Sequence, residues 1–265
     1  MSTKYIKKNG HEFYVNDSYS VSGWCDNGFF EDQVNNGRWE EDTFDILDKF
    51  SNKDKVYVDV GAWIGPTVLY ASPNFSKVLC FEPDPVALKF LRENLSLNSD
   101  TMQNIHLIEK GLFTTEGKTR FGGTWNLGNS ESTFLVNFQF FSENAGDPSQ
   151  RGDKHSRKSN IITVPTTTLE KALQENSISG DEVGLIKVDI EGGEVFLIPA
   201  IASFLMEYKP TLYISLHYCY LSPEQLSMIL NILFKIYPSC LADGKYPVTC
   251  AECKTRKLSS LVFQK

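Results

Sequence analysis

Apolar and polar positions fall into short broken stretches at the start of the chain and into a regular alternation after it. Up to about residue 36, Phe13-Tyr14-Val15 and Tyr19-Ser20-Val21 have the pattern of short strands, interrupted by Asn, Asp, Gly and Ser. Between Trp39 and Phe50, the residues Trp39, Phe44, Leu47 and Phe50 recur at helical spacing with acids between them. Residues 1–50 therefore read as an N-terminal cap packed on a main domain spanning 51–265.

Strand–helix alternation starts at Lys55–Val60, a buried-type strand ending in glycine, and Pro66 then suits the first turn of a short helix that Pro73 stops. Lys77–Phe81 is the second strand. Asp84 follows as a helix cap, with Pro85 at the first helical position and Ala87, Leu88, Leu91 and Leu95 on one face. Ile105–Ile108 is the third strand, Val183–Ile190 the fourth and Thr211–Leu216 the fifth. Between them, Ile161–Pro165 leads to a short helix with Leu169, Ala172 and Leu173, and Glu194–Tyr208 reads as a helix bent at Pro199. Ser222-Pro-Glu-Gln225 is a capping box opening a helix with Leu226, Ile229, Leu230 and Leu233 on its buried face. Cys240–Gln264 supplies two strands joined around Lys254–Lys257. Alternation of this kind predicts a parallel sheet covered on both faces.

Residues 113–160 interrupt the pattern. Thr119–Phe121 and Ser132–Val136 suggest an inserted hairpin, and the polar stretch 142–160, with Lys154, His155, Arg157 and Lys158, is a solvated loop or a mobile lid.

Composition narrows the classes. The 265 residues are 41% hydrophobic and carry 26 basic against 33 acidic side chains, a net charge of −7. A chain this long buries a core without staples, and its negative charge opposes nucleic acid as the main partner. Apolar runs fall short of the about 20 residues that span a bilayer. The start, MSTKYIKKNG, lacks the apolar segment of a secretory signal, so a cytoplasmic location without a membrane span is expected. Six scattered cysteines do not make a secreted scaffold. Cys250-Ala-Glu-Cys253 offers half of a zinc site whose other half is not evident, and free thiols beside a terminal strand are the plainer reading.

Candidate chemistry lies at strand ends. Val58-Asp59-Val60-Gly61-Ala62-Trp63-Ile64-Gly65 closes the first strand, where open α/β sheets bind ligands. Its glycines are spaced G-x-x-x-G rather than the G-x-G-x-x-G of dinucleotide sites, and Asp59 precedes them. A carboxylate there repels a pyrophosphate and suits a cation such as S-adenosylmethionine, which carries a sulfonium, an ammonium and no phosphate. Glu82, about twenty residues on at the end of the second strand, stands where an acid accepts from ribose hydroxyls. The fourth strand ends in Lys187-Val-Asp189-Ile-Glu191-Gly-Gly-Glu194, and the fifth leads to His217. Each feature also has a plain structural use: a strand-to-helix turn, a helix-dipole acid, a core histidine.

Taken together, Val58–Gly65, Phe81–Pro83, Thr166–Glu170, Ile186–Glu194 and His217 resemble the signature blocks of FkbM-type methyltransferases, over about Trp39 to His217. The resemblance implies an α/β, Rossmann-like class I methyltransferase fold: a mostly parallel seven-stranded sheet, helices on both faces and an antiparallel C-terminal hairpin. It also implies S-adenosylmethionine as cofactor, S-adenosylhomocysteine as product, and methylation of a hydroxyl on a sugar or a polyketide-type product. By position, Asp59, Gly61, Ala62 and Gly65 would line the methionine part, Glu82 the ribose, and Lys110, Gly111 and Leu112 the adenine side. Trp63 replaces a common Asn and would reshape the floor beneath the methionine, and Ser215 stands where an acid often precedes the histidine. The acid-rich turn and His217 would face the acceptor, with Asp189 or Glu191 as base, His217 as a competing base, or Asp189 and its neighbours holding a Mg²⁺-like divalent ion. A deoxyhexose such as rhamnose on a glycan is the favoured acceptor and a small-molecule natural product the second. Trp24, Phe29, Phe30, Trp39 and Trp125 are aromatic candidates for stacking on a sugar ring. An NAD-dependent oxidoreductase and a non-catalytic nucleoside-binding module are the rival classes.

Overall fold

A computed structural model gives the fold and describes residues 3–19, 28–123, 127–134 and 161–265. The basic stretch 154–158, Trp24, Cys25 and Trp125 lie outside them.

The N-terminal hairpin pairs β1 (Thr3–Lys8) with β2 (His11–Asn16), and α1 (Glu41–Phe50) follows a single π-helical turn over Phe30–Asn35. Asp17 sets that turn, its carboxylate accepting from the Phe30 and Glu31 N–H groups at 2.8 and 3.0 Å. Trp39 lies before α1 and packs edge-on against Phe29 and Phe44. Phe29 and Phe30 are fully buried, so their rings belong to the core and do not offer a face to a sugar.

The central strands are β3 (Asn52–Val60), β4 (Phe75–Phe81), β5 (Ile105–Ile108), β10 (Val183–Val188) and β11 (Thr211–Ser215). All five run parallel, in the order β5-β4-β3-β10-β11. The sheet continues through β14 (Ser260–Gln264), antiparallel to β11, then β12 (Ser239–Ala242), and ends on the two-residue edge β13 (Tyr246–Pro247). The seven expected strands are present, extended by that short edge. A helix, α7 (Cys250–Arg256), lies between β13 and β14 where a plain connection was expected, and Thr249 and Glu252 form its capping box. Cys250 and Cys253 are thus on a helix. Cys253 is buried with its thiol in hydrogen-bond reach of Cys240.

Side chains alternate across the sheet. Val56, Val58 and Val60 of β3 enter one apolar cluster with α4 (Leu169–Glu175), α5 (Glu194–Tyr208) and α6 (Pro223–Ile236). Tyr57 enters the opposite one, shared with α1, α2 (Pro66–Ala71), α3 (Pro85–Leu97) and the N-terminal hairpin through Ile6, Phe13 and Val15. Asp84 caps α3 as its sequence indicates, accepting from the Val86 and Ala87 N–H groups.

Between β5 and α4 the chain builds a second sheet from β6 (Gly111–Leu112), β7 (Gly117–Gly123), β8 (Ser132–Thr133) and β9 (Ile161–Thr167), in the order β6-β9-β7-β8. Thr119–Phe121, expected to pair with Ser132–Val136, pairs instead with β9, the main partner of β7 over six residue pairs, and β7 meets β8 at Gly122–Thr133 and Gly123–Ser132. Among the described residues no helix is long and apolar enough to cross a membrane.

Candidate active site

Strand order reverses between β3 and β10, because the chain builds outward from β3 on one side and from β10 on the other. The carboxyl ends of these two strands are where an open α/β sheet leaves a crevice. A cleft opens there, walled by Gly61, Trp63, Glu82, Asp189 and Ile190 from the main sheet. Gly111, Leu112, Phe121, Asn129, Ser130, Ser132 and Phe134 from the second sheet and its loop close it.

Two glycines in this wall are there for space. A Cβ on Gly61, at φ +91°, would meet the Asp189 carbonyl oxygen at 2.0 Å, so the ends of β3 and β10 approach only because it is absent. A Cβ on Gly111 would meet the Phe134 ring at 2.2 Å.

Glu82 is held from both sides by backbone. Its Oε2 accepts from the Trp63 N–H at 2.8 Å and its Oε1 from the Asp84 N–H at 2.7 Å. It is 6% exposed, and burial outweighs those bonds to push its carboxyl up to about 8. Trp63, itself in the left-handed region at φ +50°, reaches across the cleft mouth. Its Nε1 donates to the Gly128 carbonyl at 2.7 Å, and the Tyr19 hydroxyl donates to the same oxygen at 2.6 Å. The Gly128 N–H and the Ser132 hydroxyl donate to Asp84 Oδ2, at 2.7 and 3.1 Å. Residues 127–134 are thereby fastened over the cleft by groups from three parts of the chain.

The other half of the site is a chain of charges. Asp59 is fully buried, accepts from the Thr67 hydroxyl at 2.5 Å and lies 3.9 Å from Lys187 Nζ. Lys187, 2% exposed, donates to Asp189 Oδ2 at 3.0 Å. Burial pulls the Lys187 ammonium down, but Asp189, Asp59 and Glu40 outweigh it and hold the group well above the ordinary range. Burial raises Asp189, and Lys187 and His217 more than reverse that. His217 Nε2 lies 3.4 Å from Asp189 Oδ1 and 3.3 Å from Glu191 Oε1, while its Nδ1 is 3.1 Å from Oε1 of fully buried Glu194. Burial works against the imidazolium, yet its bonds to Glu191 and Glu194 raise it well above the usual histidine range. Glu191 is pushed up by burial against the pull of His217, and sits at φ +53° in the turn that presents it.

Of the residues singled out in the sequence, Gly61, Trp63, Glu82, Gly111, Leu112 and Asp189 line the cleft. Glu191 and His217 join Asp189 at its acid end. Asp59 lies beneath, tied to Thr67 and Lys187 rather than open to the cleft. Ala62 is buried in the core behind it, Gly65 caps α2 and approaches Leu91, and half-buried Lys110 precedes β6 outside the wall. Sequence reasoning placed Phe121, Ser132 and Phe134 in an inserted hairpin but missed that they line the cleft. It also missed Glu40, whose charge acts on Lys187 from the cap.

Residues 59–235 match the model of the methyltransferase FkbM domain. A curated relative, methyltransferase sdnD of Sordaria araneosa, is 28% identical over 168 residues, covering 60% of this chain and 64% of its own length. The chain thus spans less than two thirds of that relative. Among solved structures, an FkbM methyltransferase from Methylobacillus flagellatus is similar at a TM-score of 0.47 and 18% identity, over 81% of this chain and 44% of the other. A precorrin-6y C5,15-methyltransferase from Geobacter metallireducens is similar at a TM-score of 0.38 and 14% identity, over 73% and 68%. Since the matched segment takes in the ends of β3, β4, β10 and β11 that build the cleft, and most of the chain, this protein belongs to the FkbM methyltransferase family.

Proposed function

We propose that the chain is an S-adenosylmethionine-dependent O-methyltransferase acting on a sugar hydroxyl, on a deoxyhexose such as rhamnose within a glycan. The observation that carries this reading is the make-up of the cleft: its described wall holds the carboxyl groups of Glu82 and Asp189 and no cationic side chain to receive a phosphate. Lys187, which lies behind that wall, is already held by Asp189 and Asp59. Such a wall suits a cationic nucleoside without phosphates and disfavours the pyrophosphate of NAD.

In this reading Glu82 accepts from the ribose hydroxyls, its orientation fixed by the Trp63 and Asp84 peptides. Leu112, Phe121 and Phe134 give the adenine an apolar slot, and Gly61 lets the methionine part lie close to the backbone. Asp59 acts from beneath through Lys187 and Thr67, not by contact. Bound there, the cofactor would supply an electrophilic methyl, whose bond to sulfur would break as its bond to the acceptor oxygen forms. The protein's main task is alignment, which supplies roughly 7–11 kcal/mol when the geometry is right. Asp189 and Glu191 are placed to take the hydroxyl proton, with His217 held between them; a positioned base adds about 10²–10⁴ in rate. Residues 1–50 serve as a cap that supplies Glu40 and Tyr19 to the site.

The test is mass spectrometry on rhamnose-bearing glycans and on free small-molecule alcohols, each incubated with labelled S-adenosylmethionine. A gain of one methyl on the glycan alone supports the reading. Methylation of the small molecules alone moves the acceptor to a natural product, and no transfer with NADH-dependent reduction instead overturns it. Asp189→Asn is expected to lower kcat at least about 100-fold with S-adenosylhomocysteine affinity kept within a few-fold. Near-normal turnover in that variant removes Asp189 from the chemistry.

Trp63→Phe gives a smaller, separate check. The Gly128 carbonyl keeps the Tyr19 hydroxyl, so losing the indole N–H orphans no buried acceptor. A cost of about 0.5–1.5 kcal/mol is expected, seen in calorimetry as S-adenosylhomocysteine binding weakened about 3- to 10-fold. Unchanged binding means that the fastening of 127–134 does not serve the cofactor.

A further inference from the structure

We propose that Asp189, Glu191 and His217 form a binding site for one divalent cation of the Mn²⁺ and Mg²⁺ class. Its use in catalysis rests on the methyl-transfer reading above; its existence does not. One ligand atom from each of the three residues lies within 4.8 Å of the other two. His217 Nε2 is 3.4 Å from Asp189 Oδ1 and 3.3 Å from Glu191 Oε1. Two ligand atoms each about 2.1 Å from an ion, at angles near 90–110°, are themselves about 3.0–3.4 Å apart, so the set needs little movement to close on a metal. The three side chains are 14–19% exposed, enough to admit an ion and leave positions for water or an acceptor oxygen.

A second observation is the support behind the ligands. Glu194 is completely buried, with Oε1 placed against His217 Nδ1 and Oε2 without a hydrogen-bond partner. A carboxylate on the far nitrogen of an imidazole fixes its tautomer and turns the other nitrogen outward, which is the usual support of a metal-bound histidine. Lys187 occupies Asp189 Oδ2 and leaves Oδ1 facing His217. Among the described residues, the carboxyl groups of Asp189, Glu191 and Glu194 gather around His217, and Lys187 is the ammonium that meets them, at Asp189. Two carboxylate oxygens and one imidazole nitrogen, with open positions, suit a hard to borderline ion rather than a thiolate-seeking one. On the acceptor side of the cleft such an ion would bind and polarise a hydroxyl oxygen.

The experiment is titration of MnCl₂ into the full chain, without cofactor or acceptor, read by loss of the free-ion EPR signal. One saturable site per chain is expected, weakened at least 10-fold in Asp189→Asn, Glu191→Gln and His217→Gln. Glu194→Gln, a positioning change, is expected to weaken Mn²⁺ binding about 10- to 100-fold while S-adenosylhomocysteine binding stays unchanged, a split that simple unfolding cannot produce. If Glu194→Gln fails to fold, Asp189, Glu191 and His217, all more exposed than Glu194, still decide. No bound Mn²⁺ at millimolar ion, or equal binding in all variants, overturns the proposal. S-adenosylhomocysteine binding without Mn²⁺ binding would sink this inference alone; Mn²⁺ binding without S-adenosylhomocysteine binding would keep it and sink the methyl-transfer reading.

Discussion

Replacing Gly61 with alanine is expected to cost about 2–5 kcal/mol of folding stability and to abolish cofactor binding. Part of that cost is backbone: at φ +91° a side chain adds about 1–2 kcal/mol of strain. The larger part is contact. The new methyl would stand 2.0 Å from the Asp189 carbonyl oxygen and 3.2 Å from Ile190 Cγ2, and neither the strand end nor the carbonyl is free to swing away. Asp189 N–H donates to the Val60 carbonyl at 3.1 Å, and Val60 and Val188 are paired in the sheet. Relief therefore means parting the two central strands, which adds overpacking of about 1–3 kcal/mol and opens the floor of the cleft. Gly10 is the matched control: it sits at φ +86°, but nothing lies within 4 Å of its missing Cβ. Gly10→Ala should lose only the strain. Urea melts of both variants, with calorimetry of S-adenosylhomocysteine on each, measure the difference. Equal losses at the two glycines would mean that the close approach of β3 and β10 is not what Gly61 secures.

The same contrast marks what a sequence can disclose. The ends of β3, β4, β10 and β11 were legible because each functional group there is local to a strand-to-helix junction with its own punctuation. Asp59 precedes Gly61, Glu82 precedes Pro83, and Asp189 to Glu194 surround a glycine pair. The cap of α3 by Asp84 was legible for the same reason, whereas its second use was not. The other Asp84 carboxylate oxygen anchors Gly128 and Ser132, more than forty residues away, and no local pattern encodes that distance. Phe121 and Phe134 reach the cleft through β7 and β8, whose register depends on pairing with β9 and the short β8 contact rather than on alternation within either strand. Strands with glycines at Gly117, Gly122 and Gly123 carry weak signals. The helix α7 was a different kind of miss. Thr249 and Glu252 spell a capping box, but the cysteines between and beside them drew attention to metal spacing instead. Asp59 shows the limit of position: standing before the glycines predicts contact with the ligand, while its side chain turns inward to Thr67 and Lys187 and influences the cleft through charge.

Glu82 ties stability and cofactor binding to pH in opposite directions. Burial raises its carboxyl from 4.5 to about 8, so near neutrality the folded, cofactor-free protein keeps a proton that the unfolded chain has released. A raised value of this kind stabilises fully below the unfolded pKa and is lost as pH rises through the folded one. The window is about 4.5 to 8, and the whole contribution is on the order of 5 kcal/mol. In the proposed pose the ribose hydroxyls would donate to the carboxylate and so favour its charged form, and binding would then have to expel the proton. S-adenosylhomocysteine affinity is therefore expected to rise about tenfold per pH unit from pH 6 to 8 and to level off above. Glu82→Gln has no proton to lose. Its amide oxygen can accept from only one of the Trp63 and Asp84 N–H groups, so it should bind weakly, with a flat pH profile, and its melting point should lack the decline between pH 5 and 8 that this carboxyl adds. Calorimetry at pH 6, 7 and 8 on both proteins, beside thermal melts over the same range, separates the two effects. A wild-type affinity independent of pH, or the same slope in Glu82→Gln, would remove Glu82 from the ribose and place the nucleoside elsewhere in the cleft.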